Sequence, residues 1–229
     1  MMMRKLLAAG TLGLLALGAC SDDDPTSPVS QGRVRVVHAV TNVSTTDVLF
    51  GSDRKKADMA YKGVYEYASV PVGKATVSVR KAGASADLVK VEKDVAAGKS
   101  YSVFAFGSEA APQSFVLDDD TSAPASGKAK LRVVHAAAAQ GAVDVYILAR
   151  ATDLATATAV KPNVAAKGSS DYVTKDAGTY VVILTETGKK DVVLTLEGVK
   201  LDAGNVRTIA AVEKATGGKP LESVTIVDR

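Results

Sequence analysis

Two tandem antiparallel β-sandwiches are predicted by three features of the 229-residue chain: an internal repeat near one hundred residues, short alternating runs within each repeat, and no competing helix-period stretch. The repeat is carried by Arg35-Val36-Val37-His38-Ala39, which recurs 97 positions later as Arg132-Val133-Val134-His135-Ala136. Asp47-Val48 recurs in the same register as Asp144-Val145. Farther along, Tyr67-Ala68-Ser69 with Gly73 corresponds to Tyr172-Val173-Thr174 with Gly178 at a spacing of 105, so the second copy holds eight extra residues between Ile147 and Tyr172. Ala97-Gly98 and Ala203-Gly204 continue the match at 106. This period is well beyond the roughly 20–50 residues of solenoid repeats and indicates a duplicated domain.

In the first copy, period-two alternation marks strands at 33–39, 46–50, 65–70, 74–80, 88–95, 101–106 and 113–117, with glycine, proline or lysine-rich turns between them. Thr76-Val77-Ser78-Val79-Arg80 sets valines on one side and polar groups on the other, as a sheet with one solvated face requires. Seven such strands fit an all-β domain of the immunoglobulin-like or transthyretin-like kind. The chain has one cysteine and no tryptophan, so the antibody-type disulfide and its packing partner are missing. The expected boundaries are a signal peptide over 1–19, an anchor and flexible tether over 20–32, a first sandwich over 33–118, a linker over 119–127 and a second sandwich over 128–229.

Arg4 and Lys5 precede an apolar stretch over 6–17, the length of a signal-peptide core and too short to span a bilayer. Leu17-Gly18-Ala19-Cys20 resembles the lipobox of bacterial lipoproteins, which implies cleavage before Cys20 and membrane attachment through lipid on that residue. Residues 21–28 are acidic and proline-bearing, a tether composition. Ser21 followed by three aspartates also resembles the acidic export signal of lipoproteins on the outer face of the outer membrane. The expected location is therefore the bacterial cell envelope, lipid-anchored in the outer membrane, with surface and periplasmic orientations both open. Cleavage would leave 26 basic against 25 acidic residues with no basic stripe, which argues against nucleic acid as a partner. One cysteine and two histidines exclude disulfide scaffolds and closed zinc sites.

The combination of Arg-Val-Val-His-Ala, a following Asp-Val, Tyr-x-Ser/Thr-x-x-x-Gly and a late Ala-Gly resembles the bacterial envelope domain known as domain-of-unknown-function family 4397. The resemblance covers nearly all of 33–229 as two copies. The family's Ser-Pro-Asp-Ala-Pro-like loop is replaced here by residues 40–46 and 137–143. The resemblance implies secreted or lipid-anchored β-domains, often in tandem, and brings no established activity.

His38 and His135 each end a first strand, and Asp47 and Asp144 follow them by nine residues. With Val34 and Val36, or Leu131 and Val133, on the same strand face, each ring is expected to close the inner face and bond a loop carbonyl or that aspartate, pinning a loop. No Gly-x-Ser-x-Gly stretch supplies a nucleophile, so a hydrolase built on the His-Asp pairs is the remotest reading and no catalytic residue is assigned. Asp118, Asp120 and Ser122 have the spacing that opens a calcium loop, but Ala123 and Ala129 stand where its glycine and closing glutamate belong, so no metal is expected. No cofactor motif is found. Tyr61, Tyr65 and Tyr67 are clustered in the sequence and form a candidate ligand surface. The function expected is a non-catalytic, lipid-anchored envelope module that binds an unknown extracytoplasmic protein or polysaccharide, the alternative being a dedicated polysaccharide- or peptidoglycan-binding module.

Overall fold

The structure is a computed structural model and describes residues 30–229; the signal peptide, Cys20 and most of the tether lie outside the described residues. It contains two tandem β-sandwiches, each of eight strands. The first comprises β1 (Gln31–Thr41), β2 (Thr45–Phe50), β3 (Asp53–Ala60), β4 (Val64–Pro71), β5 (Gly73–Lys81), β6 (Asp87–Val95), β7 (Ser100–Ser108) and β8 (Ala111–Asp119). The second comprises β9 (Lys128–Ala136), β10 (Val143–Leu148), β11 (Lys161–Val164), β12 (Val173–Asp176), β13 (Gly178–Glu186), β14 (Val192–Leu201), β15 (Val206–Val212) and β16 (Glu222–Val227). A short 3₁₀ turn (Ala151–Ala155) interrupts the second copy between β10 and β11, within the eight-residue insertion.

Each copy has two four-stranded sheets, in the orders β4-β1-β7-β8 and β3-β2-β5-β6 in the first, β12-β9-β15-β16 and β11-β10-β13-β14 in the second. The sheets are not wholly antiparallel as expected: β1 runs parallel to β7, and β9 to β15. A parallel pair cannot be joined by a hairpin, and here the connection passes through the other sheet before it returns. An immunoglobulin order sets the first strand beside the second. Here β1 lies between β4 and β7, which leaves the transthyretin-like alternative.

Strand β3 escaped the pattern of alternation because Asp53-Arg54-Lys55-Lys56 is charged throughout and only Met59 of the strand is buried. It is an edge strand, and charge there blocks pairing with other chains.

The chain packs in four sheet layers with three apolar zones between them. Val34, Val36, Val48, Val77, Val79 and Val103 fill the first sandwich, and Leu131, Val133, Val145, Val182, Leu184 and Ile209 fill the second. The third zone lies between the copies. Val37, Ala39, Phe104 and Phe106 meet Val134, Ala136, Ala210, Val212, Val224 and Ile226. Strands β1 and β7 are thus buried on both faces, which explains their near-continuous apolar runs.

A buried ionic network with pseudo-two-fold symmetry borders this middle zone. Arg35 donates to Ser102 Oγ (2.6 Å), to the Val227 carbonyl (3.1 Å) and to Asp228. Its counterpart Arg132 donates to Thr208 Oγ1 (3.1 Å), to the Asp118 carbonyl (3.1 Å) and to Asp119 (2.5 Å). Tyr67 donates to Asp119 (2.6 Å) and Tyr172 to Asp228 (3.0 Å). Each guanidinium lies 4.6 Å above its own copy's tyrosine ring. The arginine of each copy therefore pairs with a carboxylate at or just past the last strand of the other, and Arg35 also lies 3.6 Å from Asp119 of its own copy. Asp119, expected at the start of a solvated linker, instead ends β8 with its carboxylate sealed from solvent. Burial alone would lower the Arg35 pKa, but Asp228 and Asp119 outweigh it and hold the value above the ordinary one.

Removing one partner of a buried ion pair leaves an uncompensated charge, at a cost of about 3–5 kcal/mol. Arg35→Met is accordingly expected to lower stability by about that amount in urea denaturation at neutral pH. A loss below about 1 kcal/mol would mean that Asp228 does not depend on this cation.

Candidate functional site

Both copies point the same way. At one end, here the base, the Val72 N–H donates to the Ser30 carbonyl, Gly98 to Gln31, and Arg229 to Thr121, so the described N-terminus, the linker and the C-terminus lie together. The opposite end, the apex, gathers the loops that follow β1 and β9 and the 213–221 loop. Asn42 donates to the Ala215 carbonyl, Tyr61 Oη to the Glu213 carbonyl (2.6 Å) and Ala139 to Glu213 Oε1 (2.6 Å).

The histidines organise this apex. His38 Nε2 lies 3.1 Å from the Val43 carbonyl while its Nδ1 accepts the Val40 N–H (3.2 Å). His135 repeats the arrangement with the Gly141 carbonyl (3.0 Å) and Ala137 N–H (3.4 Å). Both bonds require the neutral ring with its proton on Nε2. Burial lowers the pKa of His38 to about 4 and that of His135 below its ordinary value. The same residues close a second loop through backbone bonds: Lys62 donates to the His38 carbonyl and His38 to Gly63, with Lys167, His135 and Gly168 as equivalents.

The aspartates pin other segments. Asp47 accepts from the Asp58 N–H (3.1 Å), the Gly83 N–H (3.5 Å) and Arg54 (3.2 Å). Burial would raise its pKa, but these three donors hold it below the usual carboxylate range. Asp144 accepts from Asn163 N–H (2.8 Å) and Gly188 N–H (2.9 Å). No hydrogen bond joins His38 to Asp47 or His135 to Asp144 among the described residues, so the two expected pairs are four separate pins.

The tyrosine cluster does not share one face. Tyr65 packs into the first core, edge-on to Phe50. Tyr67 faces the copy interface, and burial followed by Asp119 raises its pKa. A bulge explains the divergence: Val36 pairs with Tyr65 and Val34 with Ala68, so Glu66 and Tyr67 together oppose Arg35 and the alternation flips. Tyr61 meets His38 edge-on at 5.7 Å and bonds the second copy. Near the linker, the Lys130 ammonium sits among Asp120 Oδ2 (2.6 Å), Ser122 Oγ (2.8 Å) and the Ser122 carbonyl (3.3 Å), filling the space that calcium-loop spacing suggested for a cation. Hydrogen bonding from Lys130 lowers Asp120 to about 2. Among the described residues, no three His, Cys, Asp or Glu side chains are grouped as a metal site.

The unfolded chain protonates its histidines near pH 6.5, whereas folded His38 resists until about 4, so the unfolded state binds more protons between these values. Stability is therefore complete above pH 6.5 and falls as the pH drops toward 4, by on the order of 3 kcal/mol from His38. His38→Ala with His135→Ala is expected to lower the Tm at pH 7 and to flatten this slope in urea titrations. An unchanged melt would contradict the pinning role.

The Bacillus anthracis TIE protein is similar in structure at a TM-score of 0.25 and 14% identity, over 80% of this chain and 34% of that one. The pneumococcal virulence factor SpuA, titled multi-modular and glycogen-degrading, matches at 0.24 and 10% identity, over 80% and 21%. A streptococcal virulence factor described under α-glucan binding matches at 0.25 and 11% identity, over 79% and 92%. The chain thus spans about a third of the first of these proteins and a fifth of the second. No curated protein matches it. The model of the domain of unknown function DUF4397 matches residues 32–146, just over half of the chain, from β1 through most of β10, and the chain belongs to that family.

Proposed function

We propose that this is a non-catalytic, lipid-anchored envelope protein that holds two docked sandwiches by their base and offers apical loops to an extracytoplasmic protein or polysaccharide. The observation that carries the reading is the gathering of Ser30, the linker and Arg229 at one end, opposite the histidine-pinned loops. A chain tethered just before Ser30 would present that apex farthest from lipid. The commitment of both histidines to backbone groups supports a binding role over acid-base catalysis, since each ring nitrogen already has a partner. Loops held by a rigid scaffold are the usual carriers of recognition.

The anchor is tested by growing cells with radiolabelled palmitate. The chain is expected to take up label and to lose it entirely in Cys20→Ala; label retained in that variant would exclude Cys20 as the attachment point. Protease treatment of intact cells, with a periplasmic marker as control, then separates a surface from a periplasmic orientation.

A further inference from the structure

Each of the four sheets ends in two edge strands, and an open edge offers unpaired N–H and C=O groups to any extended chain. Seven of the eight edges are blunted. Strand β3 carries charge along most of its length, and β4 holds a bulge and ends at Pro71. Strands β11 and β12 are only four residues long. Strand β14 is broken by two shifts of register, one of them beside Gly198 (φ 67°). Strands β6 and β8 run against each other and close their side of the first sandwich. That leaves β16, which has no register shift against β15, no proline, and no charge between Glu222 and Asp228.

The first copy shows what the second lacks. Lys93 of β6 bonds Asp118 of β8 (2.8 Å) and lies 4.4 Å over the Tyr101 ring, sealing the seam between the two sheets. The pairing registers make Val199, Val227 and Arg207 the counterparts of these three residues. The ion pair is therefore gone, and β14 and β16 make no comparable approach. Only the apical end of the seam is closed, where the Leu221 N–H donates to the Val193 carbonyl (3.3 Å). Thr225 is exposed, whereas its counterpart Val116 packs against the first core. Val227 is 55% exposed, the most open large apolar side chain among the described residues. Beside it, Arg207 donates to the Lys200 carbonyl (3.0 Å) and enters no ion pair among the described residues.

We infer that β16 is a docking edge for an extended segment of another protein, which joins the sheet as a further strand alongside Glu222–Val227. Backbone hydrogen bonds supply the binding, and alternate side chains of the segment cover Thr225 and Val227. Arg207 selects a carboxylate at the end of the segment that meets Val227, because its guanidinium has no acid of its own there. Glu222, held by Lys62 at 2.9 Å, marks the apical limit of the edge. The inference rests on the reading of a binding protein and adds to the apical loops a lateral site for a protein strand.

The probe is a fluorescent synthetic peptide of the β15 sequence Val206–Val212 with glutamate in the place of Arg207, because β15 is the strand with which β16 already pairs. Saturable binding to the folded protein is expected in fluorescence anisotropy, with slower hydrogen exchange at the β16 amides. The arginine-bearing peptide is expected to bind about tenfold more weakly, and a peptide N-methylated at alternate amides not at all. Val199→Lys with Val227→Asp, which restores the first copy's ion pair, is expected to abolish binding without lowering the Tm. Thr225→Lys, a charge on an exposed position of the edge, is expected to weaken binding about tenfold or more. No saturable binding, equal binding of the N-methylated or arginine-bearing peptide, or binding unchanged in both variants would overturn the assignment. Dimerisation in sedimentation velocity that the double variant removes would overturn it as well, giving the edge to a second copy of this chain. Palmitate labelling does not depend on these outcomes, so failure of the strand site and failure of the envelope reading are told apart.

Discussion

The arrangement of the whole molecule depends on the reciprocal exchange of charge between its two copies. Arg35 reaches Asp228 and Arg132 reaches Asp119, each pair sealed from water beneath a tyrosine and beside an apolar sheet face. Buried ion pairs add little net stability compared with well-packed apolar replacements, but a misplaced one is costly. The exchange therefore acts on register: sliding one sandwich along the other would part Arg35 from Asp228 and Arg132 from Asp119 while each acid kept its own copy's tyrosine. With the docking set, chain ends fall at the base and histidine-pinned loops at the apex.

Within this symmetric frame the copies have diverged where symmetry is no use. Phe104 and Phe106 on the first copy's interface face have Ala210 and Val212 as counterparts 106 positions later, so an aromatic face packs on a smaller aliphatic one. Two aromatic faces would overfill the layer and two small faces would leave it loose, which favours docking of unlike copies within one chain over pairing of like copies between chains. On the outer sheets, Leu49, Ser78 and Arg80 are matched by Tyr146, Ile183 and Thr185. The apolar members of the second set are covered by Ala151, Leu154, Ala157 and Ala159 from the insertion. The extra residues and the apolar face they cover thus occur together.

Much of this was legible in the residues, for definite reasons. The duplication could be read because Arg35-Val36-Val37-His38-Ala39 performs three jobs at once: interface charge, core strand and loop pin. Period-two runs located the strands with one solvated face. The parallel β1–β7 pair was hidden, since alternation reports which face is buried and says nothing of which strand lies alongside. The copy interface left a trace in Val36-Val37 and in Phe104 and Phe106 alternating with Val103 and Ala105, a pattern of burial on both faces. Lys62-Gly63 and Lys167-Gly168, 105 apart, also marked the paired apical turns; both lysines have positive φ, 63° and 72°. Tyr67 could not be placed by alternation because a single bulge reverses its face, and Asp119 was masked by the acidic residues on either side of it.

Held by this exchange and by the apolar layer beside it, the two sandwiches form one cooperative body. Differential scanning calorimetry of the protein from Ser30 to Arg229 tests it most directly, by comparing the calorimetric with the van't Hoff enthalpy. One transition is expected, with the two enthalpies equal. Two resolved transitions, or a van't Hoff enthalpy near half the calorimetric one, would show independent domains and contradict it.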